Sequence, residues 1–173
     1  MKQENNSIFK QLFLIKGRHA EMMRSLKDLL KCRNIDIFYL SIVLGLEYGR
    51  TAKVDDEIKK DKPIEPAKID PEQMIRYDDD IQFFFRMVLL ADKSYCPSAQ
   101  MRMDKAFRED FKTRKQDEEH FVCVMLGGLE YLYEKIGQIK ENLDVFEAFY
   151  ELLENFAAKH PDITEDSFLP QTP

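Results

Sequence analysis

Three histidines and three cysteines are the side chains of this chain best suited to metal binding or nucleophilic attack, so their spacing comes first. His19, His120 and His160 lie far apart, and none belongs to an HExxH-like pair that would put two imidazoles one helical turn apart on a zinc ion. Cys123 follows His120 by three residues, which places both on one face of a helix. A working thiolate also needs exposure and a third group to orient the base. Cys123 is set among Val122, Val124 and Met125, so a buried structural thiol is the better reading. Cys32, Cys96 and Cys123 are odd in number and form no CxxC pair, which predicts reduced thiols and no structural disulfide.

Carboxylates are plentiful, but their arrangement speaks for solubility and helix starts. Asp78, Asp79 and Asp80 are consecutive, so on a helix they point in different directions and do not converge on one cation; a first-turn role is expected. Glu109 with Asp110, and Glu118 with Glu119, lie in charged stretches that read as solvated helix faces. No glycine-rich phosphate loop, GxSxG elbow or dinucleotide fingerprint occurs, and Gly127-Gly128 lacks the preceding strand such motifs require. No catalytic residues, no metal site and no cofactor are therefore expected.

What the charges offer is binding. The total of −6 conceals a division: residues 1 to 34 carry eight basic side chains against three acidic ones, a net of +5 that leaves −11 for the remainder. A basic end on an acidic body attracts phosphate, because polyanions respond to local charge. It serves equally to dock on acidic surface of the same or another subunit, and the sequence leaves both readings open. The aromatic side chains Tyr39, Tyr48, Tyr131 and Tyr133 are candidate anchors for a protein partner.

The elements that must position these groups follow from periodicity. With 173 residues, 44% of them hydrophobic, the chain suffices for one core, and a single domain over 1–173 is expected. Ser7 and the run Ile8 to Ile15 fit either a helical turn or a short N-terminal strand. Met22, Met23, Leu26, Leu29 and Leu30 form the stripe of an amphipathic helix, and Asp36 to Tyr48 is apolar enough to be enclosed, with Gly49 as its stop. Pro63, Pro66 and Pro71 mark an exposed, charge-rich loop at 51–71. Asp70-Pro71-Glu72 opens a short helix to about Tyr77, and Ile81 to Ala91 is the central apolar helix, in which Arg86 is expected to need a buried partner.

Pro97 and Ser98 open another amphipathic stretch, which ends in charge around Lys112 to Glu119. The segment His120 to Ile136 is interrupted by Gly127 and Gly128, a costly pair inside a helix. It is best explained by another backbone passing close, for instance the helix that begins at Ile81. A last helix carries Val145, Phe146, Phe149, Leu152, Leu153 and Phe156 and closes at His160-Pro161, with a loose tail at 162–173. The architecture expected is mainly α, an irregular bundle of about six or seven helices. No apolar run reaches membrane-spanning length and the first residues lack a signal peptide's regions, so a cytoplasmic protein without membrane contact is expected.

Three stretches, Arg24 to Arg50 (RSLKDLLKCRNIDIFYLSIVLGLEYGR), Ile81 to Asp92 (IQFFFRMVLLAD) and Phe121 to Ile136 (FVCVMLGGLEYLYEKI), resemble small proteins of bacterial DNA phosphorothioation (Dnd) defence loci and are distantly similar to DndE. The likeness covers about a third of the chain and consists of apolar spacing plus a Gly-Gly-Leu. It implies a non-enzymatic accessory role in DNA modification or defence, in a helical protein that binds DNA or a protein of the same system. The matching positions able to touch a DNA backbone are Arg24, Lys27, Lys31 and Arg33, with Arg50 just after the second helix. The acidic body, the proline-containing loop and the extra C-terminal helix depart from the DndE pattern and put direct DNA contact in doubt. The other reading is a helical interaction or inhibitor module with no nucleic-acid contact. Self-association is compatible with either.

Overall fold

The computed structural model describes residues 11–55, 64–107, 111–139 and 142–161, apart from the side chains of 111–113 and 142–143. The architecture is mainly α, as the periodicity predicts, with seven helices among the described residues and one two-stranded antiparallel sheet. In chain order the elements are β1 (Phe13–Ile15), α1 (Gly17–Leu30), α2 (Asn34–Glu47), β2 (Ala67–Ile69), α3 (Pro71–Arg76), α4 (Asp78–Ala91), α5 (Ala99–Ala106), α6 (Phe111–Ile136) and α7 (Asn142–Lys159). The chain divides into two compact units, one up to Gly137 and one from Gln138. No helix among the described residues is long and apolar enough to cross a membrane.

In the first unit, α2 and α6 pack on each other more extensively than any other pair of elements. Ile35, Ile37, Phe38, Ile42 and Leu44 of α2 are buried, as are Phe121, Val124, Met125, Leu126, Leu129, Leu132 and Ile136 of α6. Aromatic edges bind the layers together. Phe38 meets Phe13 of β1 at 5.4 Å and Phe121 at 6.1 Å, and Phe121 in turn meets Phe85 of α4 at 5.7 Å, all edge to face. Met23 and Leu26 of α1 and Ile81, Phe85, Val88 and Leu89 of α4 complete the interior.

The caps agree with the local sequence. Asp70 stands at the N-cap of α3 with Pro71 at its first position, Asp78 to Asp80 occupy the first turn of α4, and the Ser98 hydroxyl accepts from the Met101 N–H at 3.3 Å to start α5. At the start of α2 the Asp36 carboxylate reaches back to the Arg33 N–H at 2.9 Å.

Four expectations are corrected. The stretch 51–71 is not only a loop: β2 lies within it, pairing Phe13 with Ile69, Leu14 with Lys68 and Ile15 with Ala67, and burying Ala67 and Ile69 while Lys68 faces solvent. Residues 56–63 of that stretch, and the expected tail at 162–173, lie outside the described residues. The second correction concerns α6, which runs unbroken from Phe111 through the charged stretch and through Gly127-Gly128. The glycines do mark a close backbone approach, but the neighbour is α2, not the Ile81 helix. A β-carbon on Gly128 would fall on the Ser41 carbonyl and the Gly45 nitrogen, one on Gly45 would fall on the Val124 carbonyl, and one on Gly127 would meet the backbone of Arg50 and Thr51.

The last correction is Arg86. It is exposed, with its guanidinium 5.3 Å above the Phe107 ring, because α4 buries the side that carries Phe85 and Leu89. The guanidinium that is buried is Arg114 of α6, at 8% exposure. It lies 4.2 Å over the Phe85 ring and 3.6 Å from Glu118, and it donates to the Gln82 side-chain oxygen.

In the second unit, α7 carries apolar side chains over a broad arc. Val145 and Leu152 are buried, whereas Phe146, Tyr150 and Leu153, which share one stripe, are exposed. The His160 N–H closes the helix on the Ala157 carbonyl at 3.1 Å.

Candidate interaction surface

The end of α2 gathers three of the residues singled out in the sequence. Gly49 adopts a left-handed φ of +59°, and the Arg50 N–H returns to the Gly45 carbonyl at 2.8 Å, the closure of a Schellman turn. That turn reverses the chain across α6 at Gly127, where no side chain obstructs it. One helical turn further along α6 stands Tyr131, and the Tyr48 ring at the end of α2 stacks on it at 4.1 Å with 22° between the planes. Arg50 lies 5.7 Å from the Tyr131 ring and Lys135 at the same distance, and Arg50 pairs with Glu134 at 3.5 Å. Burial, together with the adjacent Tyr48 hydroxyl, pushes the Tyr131 phenol up to about 12. The result is a half-buried aromatic pair ringed by two cations and one carboxylate.

The other candidates are dispersed. Tyr39 stacks on Phe84 at 5.0 Å, beside Tyr77, and burial raises its phenol. The Tyr133 ring occupies the space beside Gly137. Both are half-buried and lie apart from the Tyr48–Tyr131 corner. Arg33 is engaged by its own chain: it donates to both Asp36 carboxylate oxygens and to the Tyr77 hydroxyl, and its ring contact with Tyr77 is 5.5 Å. Arg24 donates to the Glu65 carbonyl. Arg18, which contributes to the basic N-terminal charge, pairs with Glu130, as does the buried His19 at 2.9 Å. Lys27 and Lys31 are exposed and form no ion pair among the described residues. With Arg24 they fall on one side of α1.

A polar cluster that the sequence does not disclose fastens the α4–α5 turn to α6. Asp92 accepts from the Ser94 and Tyr95 N–H groups at 2.9 and 3.0 Å, and its other oxygen meets His120 Nε2 at 2.9 Å. Burial alone would raise the Asp92 carboxyl. The hydrogen bonds from Ser94, Tyr95 and His120 outweigh it and hold the group below the usual carboxylate range. The Tyr95 ring lies flat on His120 at 3.7 Å, and its hydroxyl donates to Asp117 at 2.7 Å, where Lys105 also donates. Asp117 is fully buried and Glu118 is buried as well, which corrects the reading of Glu118 as part of a solvated face; Glu119 is exposed as that reading expects. The one advance signal was Asp92 two residues before Ser94, the spacing of a side chain that caps its own turn.

His120 thus bonds to Asp92 and stacks on Tyr95, and the Cys123 thiol is half-buried and raised by burial. All three cysteines are free. Among the described residues no three His, Cys, Asp or Glu side chains group as ligands for one ion.

No protein-family model matches this chain, and no curated protein or solved structure matches it.

Proposed function

We propose that this chain is a non-enzymatic interaction module that docks a protein partner on the Tyr48–Tyr131 corner; by the resemblance stated above, that partner belongs to a bacterial DNA-modification or defence system. The observation that carries the reading is the stacked tyrosine pair with Arg50 at its edge, since tyrosine and arginine are among the side-chain types that dominate binding energy at protein interfaces. The corner is also pre-organised. Its rings are held by a glycine-dependent helix crossing, so little side-chain freedom remains to be lost on binding.

A second reading has its own support: Lys27 and Lys31, exposed beside Arg24 on α1, would take a DNA backbone without base specificity. It is the narrower reading because Arg33 and Arg50, the other candidate contacts, pair with Asp36 and Glu134. One pair of variants separates the two. Tyr131→Ala abolishes capture of the native partner while Lys27→Glu with Lys31→Glu leaves it intact; the reverse outcome, with duplex binding that weakens steeply as salt rises, transfers the function to α1. Capture unaffected by either change overturns both.

A further inference from the structure

Beside β1 lies a half-open cavity of about 500 Å³ that the interaction corner does not use. Phe13 forms part of its wall, Val122 and Cys123 of α6 another part, and Leu12 and Val54 its exposed rim. The volume falls within the range of small-molecule sites, which are mostly apolar with a few placed polar groups. Its walls are fixed. Phe13 is tied into the sheet through its register with Ile69, and the extended segment after the Schellman turn is pinned by the Ala52 N–H, which donates to the Cys123 carbonyl at 2.9 Å. Further along, Asp55 accepts from the Arg18 N–H at 2.8 Å.

The four charged side chains that line the cavity, Lys53, Lys115, Glu118 and Glu119, sum to zero, but both carboxylates are already engaged. Glu118 faces Arg114 at 3.6 Å and Glu119 faces Lys115 at 3.9 Å, so each carboxylate has its own cation. Lys53 is left over. It is exposed at the cavity and makes no ion pair among the described residues. An occupant matching this site has an aliphatic or aromatic body facing Phe13, Val54 and Val122 and a single anionic end at Lys53.

The geometry points to a binding site for a small amphipathic anion, of the class of a medium-chain carboxylate. Cys123 in the wall provides the readout, because an occupant shields its thiol from a soluble alkylating reagent. Octanoate and octan-1-ol are the probes, applied to the full chain, with alkylation of Cys123 and of Cys32 measured separately by mass spectrometry. Octanoate is expected to slow alkylation of Cys123 saturably, by several-fold, and to leave Cys32 unchanged.

Val54→Trp, at an exposed rim position where the fold is not at stake, is expected to remove the protection. Lys53→Glu is expected to weaken octanoate by about three- to five-fold, the scale of one exposed charge contact, and to leave octan-1-ol unaffected. Absence of saturable protection, equal slowing at Cys32, or protection that survives Val54→Trp overturns the site. Equal loss of both probes in Lys53→Glu overturns its preference for an anion. None of these outcomes touches the tyrosine corner, whose test is capture by Tyr131.

Discussion

The two halves of α6 are held by opposite means. Its second half is pressed against α2 where side chains are missing, at Gly45, Gly127 and Gly128, so at that crossing backbone lies on backbone and nothing ionises, while Glu130 and Glu134 farther along pair with Arg18, His19 and Arg50. Its first half is fastened by Asp117, His120 and Arg114 to Tyr95, Lys105, Asp92 and Gln82, a set of charged and hydrogen-bonding groups. The glycine contact is intolerant of added atoms and indifferent to pH. The polar one tolerates changes of shape but depends on every partner's charge. The 26-residue helix thereby has one crossing that fails by steric clash and one junction that fails by titration or by loss of a partner.

The largest expected effect is on the glycine side. Gly128→Ala sets a β-carbon on the Ser41 carbonyl, and neither helix backbone can yield, so a loss of about 3 kcal/mol or more is expected in chemical denaturation. A loss under about 1 kcal/mol would show that the two backbones are not in contact there. Next comes Asp117→Asn, which leaves the largely buried Lys105 ammonium without its counter-charge; about 2–3 kcal/mol is expected, because a buried charge stripped of its partner costs its desolvation.

Asp92→Asn is smaller, about 1–2 kcal/mol at neutral pH. Its sign with pH is set by the depressed carboxyl: the stabilisation is complete above the unfolded-state value of about 4 and disappears as pH falls through the lower folded-state value. The gap between Asp92→Asn and the parent should therefore close on acidification, while the gap for Gly128→Ala should not. A parallel dependence in both variants would remove the contrast between the two ends.

The smallest effect expected is a gain. Lys31 closes α1 with a left-handed φ of 53°, a conformation that costs a side-chain-bearing residue about 1 kcal/mol, so Lys31→Gly should stabilise by about 0.5 kcal/mol after its own entropy is counted. The same variant bears on function, since it deletes one of the two cations offered to DNA.

How far the sequence could be read depended on whether a feature was local. Helices with an apolar stripe and a cap of their own, such as α3 with Asp70-Pro71 and α5 with Ser98, are visible because everything that defines them lies within one or two turns. The glycine pair announced a close approach but not its neighbour, which sits some eighty residues earlier at Ser41 and Gly45. Strand β2 shows only Ala67-Lys68-Ile69, three residues whose alternation is too short to stand out from a proline-rich stretch. Arg86 and Arg114 exchanged roles for a related reason: hydropathy tells which residues are apolar around a guanidinium, not whether the helix turns it inward.

Of the candidate corner, Tyr48, Arg50 and Tyr131 could each be named in advance. That they meet was hidden, because it follows from a chain reversal at Gly49 and a crossing at Gly127.

The six residues from Arg50 to Asp55 form a single ribbon with one end at the tyrosine corner and the other at the cavity, stapled midway by the Ala52 amide. If an occupant at one end shifts the ribbon at the other, thermodynamic reciprocity requires the two affinities to change by the same factor. Titrating octanoate against partner and partner against octanoate would reveal that factor, and a value of one would mean the staple isolates the ends from each other.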